Sequence, residues 1–489
     1  MPEHSLARAA EAALDRHGDY DSLWFEGEWH RSGRLFERAT RLAGGLRDLG
    51  VEPGDRVVVL MANCPEVGIA YNAIWRIGAV VTPAIFLLPP AELAHVIADS
   101  GARLVLASPE LADNAREAAG GAEVVTTDRF PELEQADPSP IVPPDGADLA
   151  ALMYTGGTTG RAKGVMLSHE NLSAAGRAGH DAGFVPGIVR GLNALPLSHA
   201  YGLLVTVVGF HYREPQRSVL MRWFTPEAWL ELAQEHRTQI VAVVPSMLQL
   251  LLAQTLEDYD LSELRYVVCG AAPLPPGTAN ELTARLPDVE IREGYGLTES
   301  SALVSSSPPG RVRLGAVGLP VPGFDVRIHE PDTAGVGEIV VRSETVMLGY
   351  WQAPELTAEV LRDGWLHTGD LGRLDDDGYL YVVDRTKDLI IRGGFNVFPR
   401  DVEEALMEHP AVAAAGVVGR PDDLHGEEVV AFVELRSGEV TPEELVAFCK
   451  ERIGGYKYPR EVHPIPSLPL TPVGKVDRKA LRGKLAVSA

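Results

Sequence analysis

A run rich in glycine and threonine, Tyr154-Thr-Gly-Gly-Thr-Thr-Gly-Arg-Ala-Lys-Gly164, constrains this chain more than any other stretch. It follows an apolar run at residues 148–153 and precedes residues 165–171, so we predict a strand, a loop and then a helix. The glycines allow positive φ angles and a close approach to a ligand, while the threonine hydroxyls and the Lys163 ammonium can bind oxygen atoms. Such a loop suits a polyphosphate.

The loop differs from a Walker A loop, which requires Gly-x-x-x-x-Gly-Lys-Ser/Thr. Here Lys163 stands three residues after Gly160 and is followed by Gly164. A P-loop kinase or GTPase is therefore disfavoured. A loop of this composition can also be an ordinary turn between two elements. The assignment to phosphate binding depends on the motifs that accompany it.

Length and composition predict a multidomain globular protein. The chain has 489 residues, 45% of them hydrophobic and 23% charged, which is too long for one ordinary core. No apolar run approaches the length of a membrane span, and residues 1–8 lack the pattern of a signal peptide. The last residues carry no peroxisomal or lipidation signal. We therefore expect a cytoplasmic protein without a membrane span.

The formal net charge of -24 argues against nucleic acid or an anionic membrane as a partner, because both attract basic surfaces. Anionic ligands must then be bound by local basic residues. The three cysteines, Cys64, Cys269 and Cys449, are far apart and lack metal-binding spacing. We interpret them as reduced buried thiols.

Strands and helices alternate in the first part of the chain. Residues 55–61, 78–82 and 103–107 have strand patterns, and 66–75 and 91–98 have helical patterns. This alternation predicts α/β units with mainly parallel strands.

Further along, residues 238–245 and 265–270 read as buried strands that end in turns, and residues 289–292 read as a third strand. Ligands of open α/β sheets bind at such strand ends. The third strand leads into Glu293-Gly-Tyr-Gly-Leu-Thr-Glu-Ser300, where Tyr295 offers an aromatic face to a base and Glu299 a hard carboxylate to Mg²⁺. Alone, this motif could be a tight turn with a solvated acid.

The sequence from residue 315 onwards indicates two smaller structural units. Residues 315–383 contain short strands separated by turns and read as a β-rich subdomain. Beyond it, residues 399–408 and 442–452 have helical patterns, and 413–418 and 429–435 have strand patterns. This C-terminal segment is predicted to form a small α+β unit.

In order and spacing, these motifs resemble those of the adenylate-forming superfamily, which holds acyl-CoA synthetases, peptide-synthetase adenylation domains and beetle luciferases. Besides the Gly/Thr loop and Gly294–Glu299, the matches are Leu195-Pro-Leu-Ser-His199, Thr368-Gly-Asp370 and the C-terminal Pro469-Leu-Thr-Pro-Val-Gly-Lys475. Ala162 departs from the usual proline, which should change the stiffness of the loop more than its chemistry. The resemblance covers essentially the whole chain and points to an acyl-CoA synthetase.

The resemblance implies a large N-terminal α/β domain with a β-rich subdomain (1–384), a hinge (385–387) and a mobile α+β C-terminal lid domain (388–489). ATP would bind between the domains. A carboxylate would attack the α-phosphorus of MgATP to give acyl-AMP and pyrophosphate, and a pantetheine thiol would then displace AMP. The hinge pivot would be Lys387, and Gly393 and Gly394 would line the thiol tunnel.

The same resemblance assigns the site residues. Lys475, Glu299 and His199 are the expected catalytic residues, with Glu299 as the Mg²⁺ ligand and His199 gating the pocket or orienting the carboxylate. The expected ATP-binding residues are Thr155, Gly156, Gly157, Thr158, Thr159, Gly160, Lys163, Gly270, Ala271, Ala272, Tyr295, Gly296, Thr298, Asp370 and Arg385. The expected acyl pocket consists of His199, Val244, Ser246, Ala271 and Leu303.

The class of the acid substrate and the thiol acceptor of the acyl group are inferred by elimination. The motif at residues 195–202 has no aspartate to hold an α-amine, and no arginine or lysine is obvious at the pocket positions. We therefore expect a hydrophobic monocarboxylic acid. The chain ends soon after Lys475, without a fused carrier domain, so free coenzyme A is the favoured acceptor and a separate acyl carrier protein the alternative. A non-catalytic ligand-binding relative is disfavoured because Lys475, Glu299 and Asp370 occur together.

Overall fold

The computed structural model describes residues 5–155, 162–393, 395–422, 424–436, 440–471 and 475–487, without the side chains of 486 and 487. None of the helices in these ranges is long and apolar enough to cross a membrane. The α-helices are α1 Leu6–His17, α2 Ser32–Asp48, α3 Pro65–Arg76, α4 Pro90–Ser100, α5 Ala112–Ala118, α6 Phe130–Leu133, α7 His169–Gly183, α8 Ala200–Gly209, α9 Pro226–Glu235, α10 Pro245–Leu252, α11 Pro276–Arg285, α12 Pro354–Val360, α13 Pro399–Met407, α14 Pro442–Arg452 and α15 Arg478–Val487.

The strands form four sheets. In chain order they are β1 Asp21–Phe25, β2 Glu28–Arg31, β3 Arg56–Leu60, β4 Val80–Pro83, β5 Leu104–Ala107, β6 Glu123–Thr126, β7 Leu149–Thr155, β8 Lys163–Ser168, β9 Arg190–Asn193, β10 Arg217–Leu220, β11 Ile240–Val243, β12 Tyr266–Cys269, β13 Glu290–Tyr295, β14 Ser305–Ser306, β15 Leu319–Pro320, β16 Asp325–His329, β17 Gly337–Arg342, β18 Gly349–Tyr350, β19 Leu361–Arg362, β20 Trp365–Leu374, β21 Leu380–Arg385, β22 Ile390–Arg392, β23 Phe395–Val397, β24 Val412–Asp422, β25 Gly426–Leu435 and β26 Glu461–Pro464.

The first sheet has the order β18-β8-β7-β4-β3-β5-β6 and is parallel from β7 to β6. Strand β3 is a run of valines that is almost wholly buried, as is typical of a central parallel strand covered on both faces. Helix α3 packs beside it, and the indole of Trp75 donates a hydrogen bond to the Ala150 carbonyl of β7 at 2.9 Å. The prediction of mainly parallel α/β units is confirmed here.

The segment after the Gly/Thr loop was predicted wrongly as a helix. It forms β8, which pairs antiparallel with β7 so that Thr155 lies opposite Lys163. Helix α7 begins only at His169, where Ser168 accepts from the Asn171 amide and Asn171 caps Ser168 in return. The mainly apolar residues 164–167, which precede this capping box, pair with β7 and β18 instead of forming a helix. The helix therefore starts only after them.

The second sheet has the order β15-β14-β13-β12-β11-β9-β10-β1-β2. Strands β9 to β13 are parallel, which confirms the predicted buried strands at residues 238–245 and 265–270. Their carboxyl ends lie along one edge, so the segments after β11, β12 and β13 meet there. This edge carries several of the sequence-predicted binding residues, among them Val244, Ala271, Tyr295 and Glu299.

The β-rich subdomain is also confirmed, as a sheet of β16, β17, β20, β19 and β21. Within it, β20 pairs antiparallel with β21, so that Asp370 lies opposite Arg385. This register brings the Thr-Gly-Asp motif next to the start of the predicted hinge.

The C-terminal unit is a sheet of β22 to β26 with α13, α14 and α15, around its own core of Val402, Leu406, Val417 and Leu445. It contacts the larger part through Asp384 of β21, which accepts a hydrogen bond from the Arg400 amide at 3.0 Å. The turn 386–388 joins β21 to the C-terminal unit. The large N-terminal and small C-terminal domains agree with the predicted fold class, whereas the boundaries at 384 and 388 stay a prediction.

Candidate active site

A cavity of about 2680 Å³ lies between the large domain and the C-terminal domain. Its walls include His199, Tyr295, Glu299, Asp370 and Lys475, which are far apart in sequence. The other described residues predicted for ATP or acyl binding also line it, namely Thr155, Lys163, Val244, Ser246, Gly270, Ala271, Ala272, Gly296, Thr298, Leu303 and Arg385. Their roles in binding remain predictions, but the fold brings them to one place.

Asp370 is buried, at 5% exposed, and both of its carboxylate oxygens are engaged. The hydroxyl of Tyr295 donates to Oδ2 at 2.7 Å, and Nε of Arg385 donates to Oδ1 at 3.0 Å. The negative charge of Asp370 raises the pKa of Arg385 above its ordinary value. The carboxylate is therefore held in one orientation, as an acceptor suited to a cis-diol.

The turns after the parallel strands shape the neighbouring wall. A Cβ atom at Gly296 would lie 2.0 Å from the Ala302 carbonyl oxygen, so no other residue fits this position of the motif. Ala271 has a φ of 69°, in the left-handed region that non-glycine residues rarely adopt. Backbone strain of this kind is concentrated at binding sites, where the surrounding structure enforces it.

Glu299 lies next to a tyrosine that the sequence did not single out. The hydroxyl of Tyr350, on β18, donates to Oε1 of Glu299 at 2.8 Å. Nζ of Lys163 lies 5.2 Å from the centre of the Tyr350 ring, in a cation–π contact. Because β18 pairs with β8, this tyrosine joins the residue predicted to bind metal to the residue predicted to bind phosphate.

Helix α4 holds both ends of the Gly/Thr loop. Tyr154 donates to the Asp99 carboxylate at 2.6 Å on one side, and His95 contacts the Ala162 carbonyl oxygen at 3.0 Å on the other. Five of the predicted phosphate-binding residues lie outside the described residues, so their contacts stay predictions: Gly156, Gly157, Thr158, Thr159 and Gly160.

Lys475 faces the cavity from the C-terminal domain. Burial and, to a smaller extent, the positive charge of Arg385 lower the pKa of its ammonium to about 8, although Asp370 and Glu299 act in the opposite direction. In this structure Lys475 lines the same cavity as His199, Glu299 and Asp370, so the C-terminal domain contributes to its wall.

His199 caps the start of α8, where its Nδ1 accepts from the Tyr201 amide at 3.2 Å. This assigns the ring proton to Nε2. Burial lowers the pKa of His199 to about 4, and the charge of Lys475 contributes to the shift. The imidazole is therefore neutral near pH 7 and can donate one hydrogen bond from Nε2.

The two glycines predicted to line the thiol tunnel are not both described, so the tunnel stays a prediction. Lys387 lines the cavity in the turn between the domains, but Gly393 is not among the described residues of its wall. The Gly393 amide instead donates to the His425 carbonyl at 2.7 Å. Gly394 lies outside the described residues.

The end of the cavity that is predicted to hold the acyl group is lined by one face of the second sheet and by helices α7 and α8. Beyond Val244 and Leu303, the wall continues along Ile240, Ala242 and Val268, which are apolar side chains of β11 and β12. Two polar residues that the sequence did not indicate, His180 and Arg292, also line this end. No local pattern could have revealed them, because the strand pairing and the position of α7 bring them together.

Comparison with known proteins identifies the family. The model for AMP-binding enzymes matches residues 10–351, and the model for the AMP-binding enzyme C-terminal domain matches residues 401–475. A feruloyl-CoA synthase of Amycolatopsis sp is 39% identical, covering 92% of each chain, and a long-chain-fatty-acid–CoA ligase of Yersinia pestis is 35% identical, covering 98% of this chain and 94% of the relative. Among solved structures, ATP-bound MatB from Rhodopseudomonas palustris has a TM-score of 0.89 and 30% identity, over 98% of each chain. The chain therefore belongs to the family of AMP-binding enzymes, among the adenylate-forming acyl-CoA ligases.

Proposed function

We propose that this enzyme activates a hydrophobic monocarboxylic acid as acyl-AMP and transfers the acyl group to coenzyme A, releasing pyrophosphate and AMP. The observation that carries the proposal is the meeting of Lys475 with His199, Glu299 and Asp370 in one cavity between two domains. Each of these residues supplies a charge or hydrogen bond that carboxylate activation requires.

Mg²⁺ fits the surroundings of Glu299. One carboxylate oxygen accepts from Tyr350, and no hydrogen bond of the described residues occupies Oε2, which is therefore available as a hard oxygen ligand. Lys163 lies beside this group for the phosphates. When bound, Mg²⁺ would neutralise charge on the phosphate oxygens.

In the first half-reaction, Asp370 holds the ribose hydroxyls of ATP and Lys163 holds the leaving phosphates. Nε2–H of His199 donates to the substrate carboxylate and orients it. A carboxylate oxygen forms a bond to the α-phosphorus while the bond to the bridging oxygen of pyrophosphate breaks. Lys475 stabilises the negative charge that develops on the carboxylate and phosphate oxygens.

In the second half-reaction, the C-terminal domain rotates about Lys387 and carries Gly393 and Gly394 to the cavity. The thiol sulfur of coenzyme A forms a bond to the acyl carbonyl carbon, the bond to AMP breaks, and the thiol proton passes to solvent. The absence of Gly393 from the described cavity wall supports a second orientation of the domain for this step. A separate acyl carrier protein is the alternative source of the thiol.

The apolar side chains of β11 and β12 support a hydrophobic acyl group. The similar proteins include a feruloyl-CoA synthase, long-chain-fatty-acid–CoA ligases and a rice 4-coumarate–CoA ligase at 36% identity, so both aryl and fatty acids are candidates. The coenzyme A named in these relatives favours it as the acceptor.

The proposal is tested by measuring pyrophosphate release from ATP over fatty, aryl and alicyclic acids, with and without coenzyme A. We expect acid-dependent release, and a thioester only when coenzyme A is present. Faster turnover of amino acids than of any simple carboxylic acid would contradict the proposed substrate class. Absence of release with every acid would indicate a non-catalytic relative.

A further inference from the structure

We infer that the substrate has an elongated apolar acyl group, about as long as an extended chain of ten carbon atoms, and that Gly191 and Ala242 are specificity-determining residues that make room for its far end. The inference rests on the proposed function and deepens it by naming the length of the acid. The space concerned, called the acyl slot below, lies between strands β9 to β12 and helix α8.

The floor of the acyl slot is one face of β11 and β12. Neither strand lies at an edge of the sheet, because β11 is flanked by β9 and β12, and β12 by β11 and β13. Even so, Ile240, Ala242 and Val268 are partly exposed, whereas the alternating residues Val243 and Val267 are buried. Successive side chains of a strand point to opposite faces, so the exposed residues share one face. All three line the cavity, which is the open space that exposes them.

The strand register extends this face to two small residues. Gly191 of β9 pairs with Ile240 and with Ser218 of β10, and both small residues line the cavity. A Cβ atom at Gly191 would lie 3.7 Å from the nearest atom, the Ile240 carbonyl oxygen, which is an ordinary contact distance. The φ of Gly191 is not positive, so the backbone does not require glycine here. The missing side chain therefore leaves space in the slot rather than relieving a clash.

The roof of the acyl slot is one face of α8. Tyr201, Val205 and Val208 are partly exposed, are spaced three to four residues apart and line the cavity. The other face of the helix, with Leu203 and Val207, is buried in the core of the large domain. The open face of α8 is thus turned towards the open face of the sheet.

The length of the slot follows from the geometry of its floor and roof. On β11 it extends over residues 240–244, which corresponds to about 13 Å at the rise of a strand. On α8 it extends over residues 201–208, which corresponds to about 10 Å. An extended carbon chain advances by roughly 1.3 Å per atom, since a C–C bond is about 1.5 Å long. The floor therefore accommodates about ten carbon atoms.

The far end of the slot lies where β9 and β10 begin. Ile188 and Gln216, which precede these strands, both line the cavity. The side-chain amide of Gln216 donates to the Ile188 carbonyl at 3.1 Å, so the two segments are joined across this end. A chain that fills the slot would meet this boundary.

The polar side chains beside the slot do not require a polar group in the ligand. Asn193 exchanges hydrogen bonds with the Leu195 backbone at 3.2 and 3.4 Å, and each nitrogen of the Arg292 guanidinium donates to a backbone carbonyl. Nε2 of His180 has no partner but is itself buried. An apolar acyl group therefore leaves these groups in their present environment.

A slot of this kind selects acids by length. Each methylene group that enters it leaves water, which corresponds to about a fourfold gain in kcat/KM. The gain should continue until the floor is covered. A longer chain has to bend or meet the far end, so the gain should then stop.

The test measures coenzyme A thioester formation by the full-length enzyme for two series of acids. One series runs from butanoic to hexadecanoic acid, and the other consists of ω-phenylalkanoic acids from phenylacetic to phenyloctanoic acid. We expect kcat/KM to rise about fourfold per carbon to a maximum near decanoic acid, or near phenylhexanoic acid, which has about the same length. The series that is turned over faster identifies the acyl group as a chain or as an aryl-ended chain. In that series, a maximum at hexanoic acid or below, a maximum at phenylacetic acid, or a rise that continues to the longest member overturns the inference.

Variants locate the origin of the length preference. Gly191→Val and Ala242→Val each place a branched side chain in the slot and should move the maximum towards shorter acids. Each should lower kcat/KM for the acid preferred by the wild type by about 10–100-fold, but not for the shorter acids of the same series. Val243→Ala is the matched control, because Val243 is next to Ala242 but is buried on the opposite face of β11. It should lower the melting temperature and keep the wild-type length profile. An unchanged profile in both slot variants contradicts the role of these residues.

A thermal melt identifies variants that fail to fold, and the wild-type length profile decides the question in that case. The two proposals also fail differently. If no acid yields a thioester, the proposed function is wrong. If thioesters form equally well at every length, only the inference about the acyl slot is wrong.

Discussion

The end of the cavity that we propose binds ATP (the nucleotide end) and the end that we propose binds the acyl group (the acyl end) differ in how their polar groups are satisfied. At the nucleotide end, Asp370 is held by Tyr295 and Arg385, and Glu299 by Tyr350. At the acyl end, Nε2 of His180 lacks a hydrogen-bond partner within the described residues. A ligand common to every reaction can be met by a prearranged network, whereas a variable ligand must itself complete the hydrogen bonds.

This difference makes a general prediction about mutations. Changes at the nucleotide end should lower the rate with every acid by a similar factor, because they act on ATP and metal. Changes at the acyl end should alter which acid is preferred. The following experiments test the nucleotide end and the closure of the domain over it, from the largest expected effect to the smallest.

Lys475→Ala should reduce adenylation by about 10²–10³-fold, the usual scale for a donor that stabilises developing charge in a preorganised site. It should still convert supplied acyl-AMP to the thioester, because the lysine acts only in the closed orientation. Single-turnover assays of each half-reaction provide the measurement. Lys450→Ala, on the exposed face of α14 in the same domain, is the control and should retain both steps. Equal loss of both steps would contradict the separation of the half-reactions.

Lys387→Pro should reduce thioester formation by about 10²-fold while retaining acid-dependent pyrophosphate exchange. No backbone hydrogen bond from the Lys387 amide is present among the described residues, so proline removes no contact of the closed orientation. It does fix φ, which resists the dihedral change that rotation requires. Lys387→Ala should retain both activities. If the proline variant forms thioester at the wild-type rate, the pivot lies elsewhere.

Asp370→Ala and Glu299→Ala should each lower kcat/KM for adenylation by about 10–100-fold, for different reasons. The first should raise the KM for ATP and be insensitive to Mg²⁺, because the ribose contacts are lost. The second should be partly rescued by raised Mg²⁺. Titration of Mg²⁺ at fixed ATP distinguishes them, with the exposed Asp376→Ala as a neutral control. Identical responses to metal would show that the two roles are assigned wrongly.

The pH dependence of adenylation should reflect Lys475, whose pKa is lowered to about 8 by burial. The protonated ammonium is the active form, so kcat/KM should be constant below this pKa and fall about 10-fold per pH unit above it. Lys475→Arg keeps its charge at all these pH values and should lack the alkaline decline. An unchanged alkaline decline in that variant would assign the titration to another group.

Tyr350→Phe should have the smallest effect, a fall in kcat/KM of about 3–10-fold, because the tyrosine acts through Glu299 rather than on the substrate. The phenylalanine ring preserves the contact with Lys163 but removes the hydrogen bond to Glu299. The variant should therefore need more Mg²⁺ than the wild type for half-maximal activity. At high Mg²⁺ its activity should approach that of the wild type. Tyr381→Phe, in the β-rich subdomain, is the control. A loss that is independent of metal would indicate a purely structural role.

The sequence predicted residues that the fold brings together at the nucleotide end, because they stand in short motifs; their roles stay predictions. Asp370, Glu299 and Lys475 could be identified individually, and the fold brings them to one cavity. Tyr350 could not, since it lies 51 residues from Glu299 on a short strand whose pairing alone places it there. The burial of Arg292 was missed for a similar reason, because a lone arginine in a strand does not reveal that its side chain donates to the carbonyls of Ser307 and Ala182.

The secondary structure shows the same difference: elements set by local sequence were predicted, and elements set by tertiary contacts were missed. Helices with a proline at the start, such as α3 and α14, were predicted within a few residues, as were the buried parallel strands. The segment at β8 was predicted wrongly because its apolar residues serve a sheet edge that only the tertiary structure provides. Strands β22, β23 and β26 and helix α15 were not predicted at all.

Asp388, the residue after the predicted pivot, connects the turn between the domains to the loop that carries Lys475. Its carboxylate pairs with Arg482 at 3.0 Å and with Arg478 at 3.5 Å, both on α15, and Arg478 also pairs with Glu403 of α13 at 2.7 Å. These ion pairs attach the residue that follows the predicted pivot to α13 and α15 of the C-terminal domain. The orientation of the domain and the position of Lys475 would then change together. Removing the Asp388 carboxylate should make both half-reactions less efficient, because neither orientation of the domain would be held firmly.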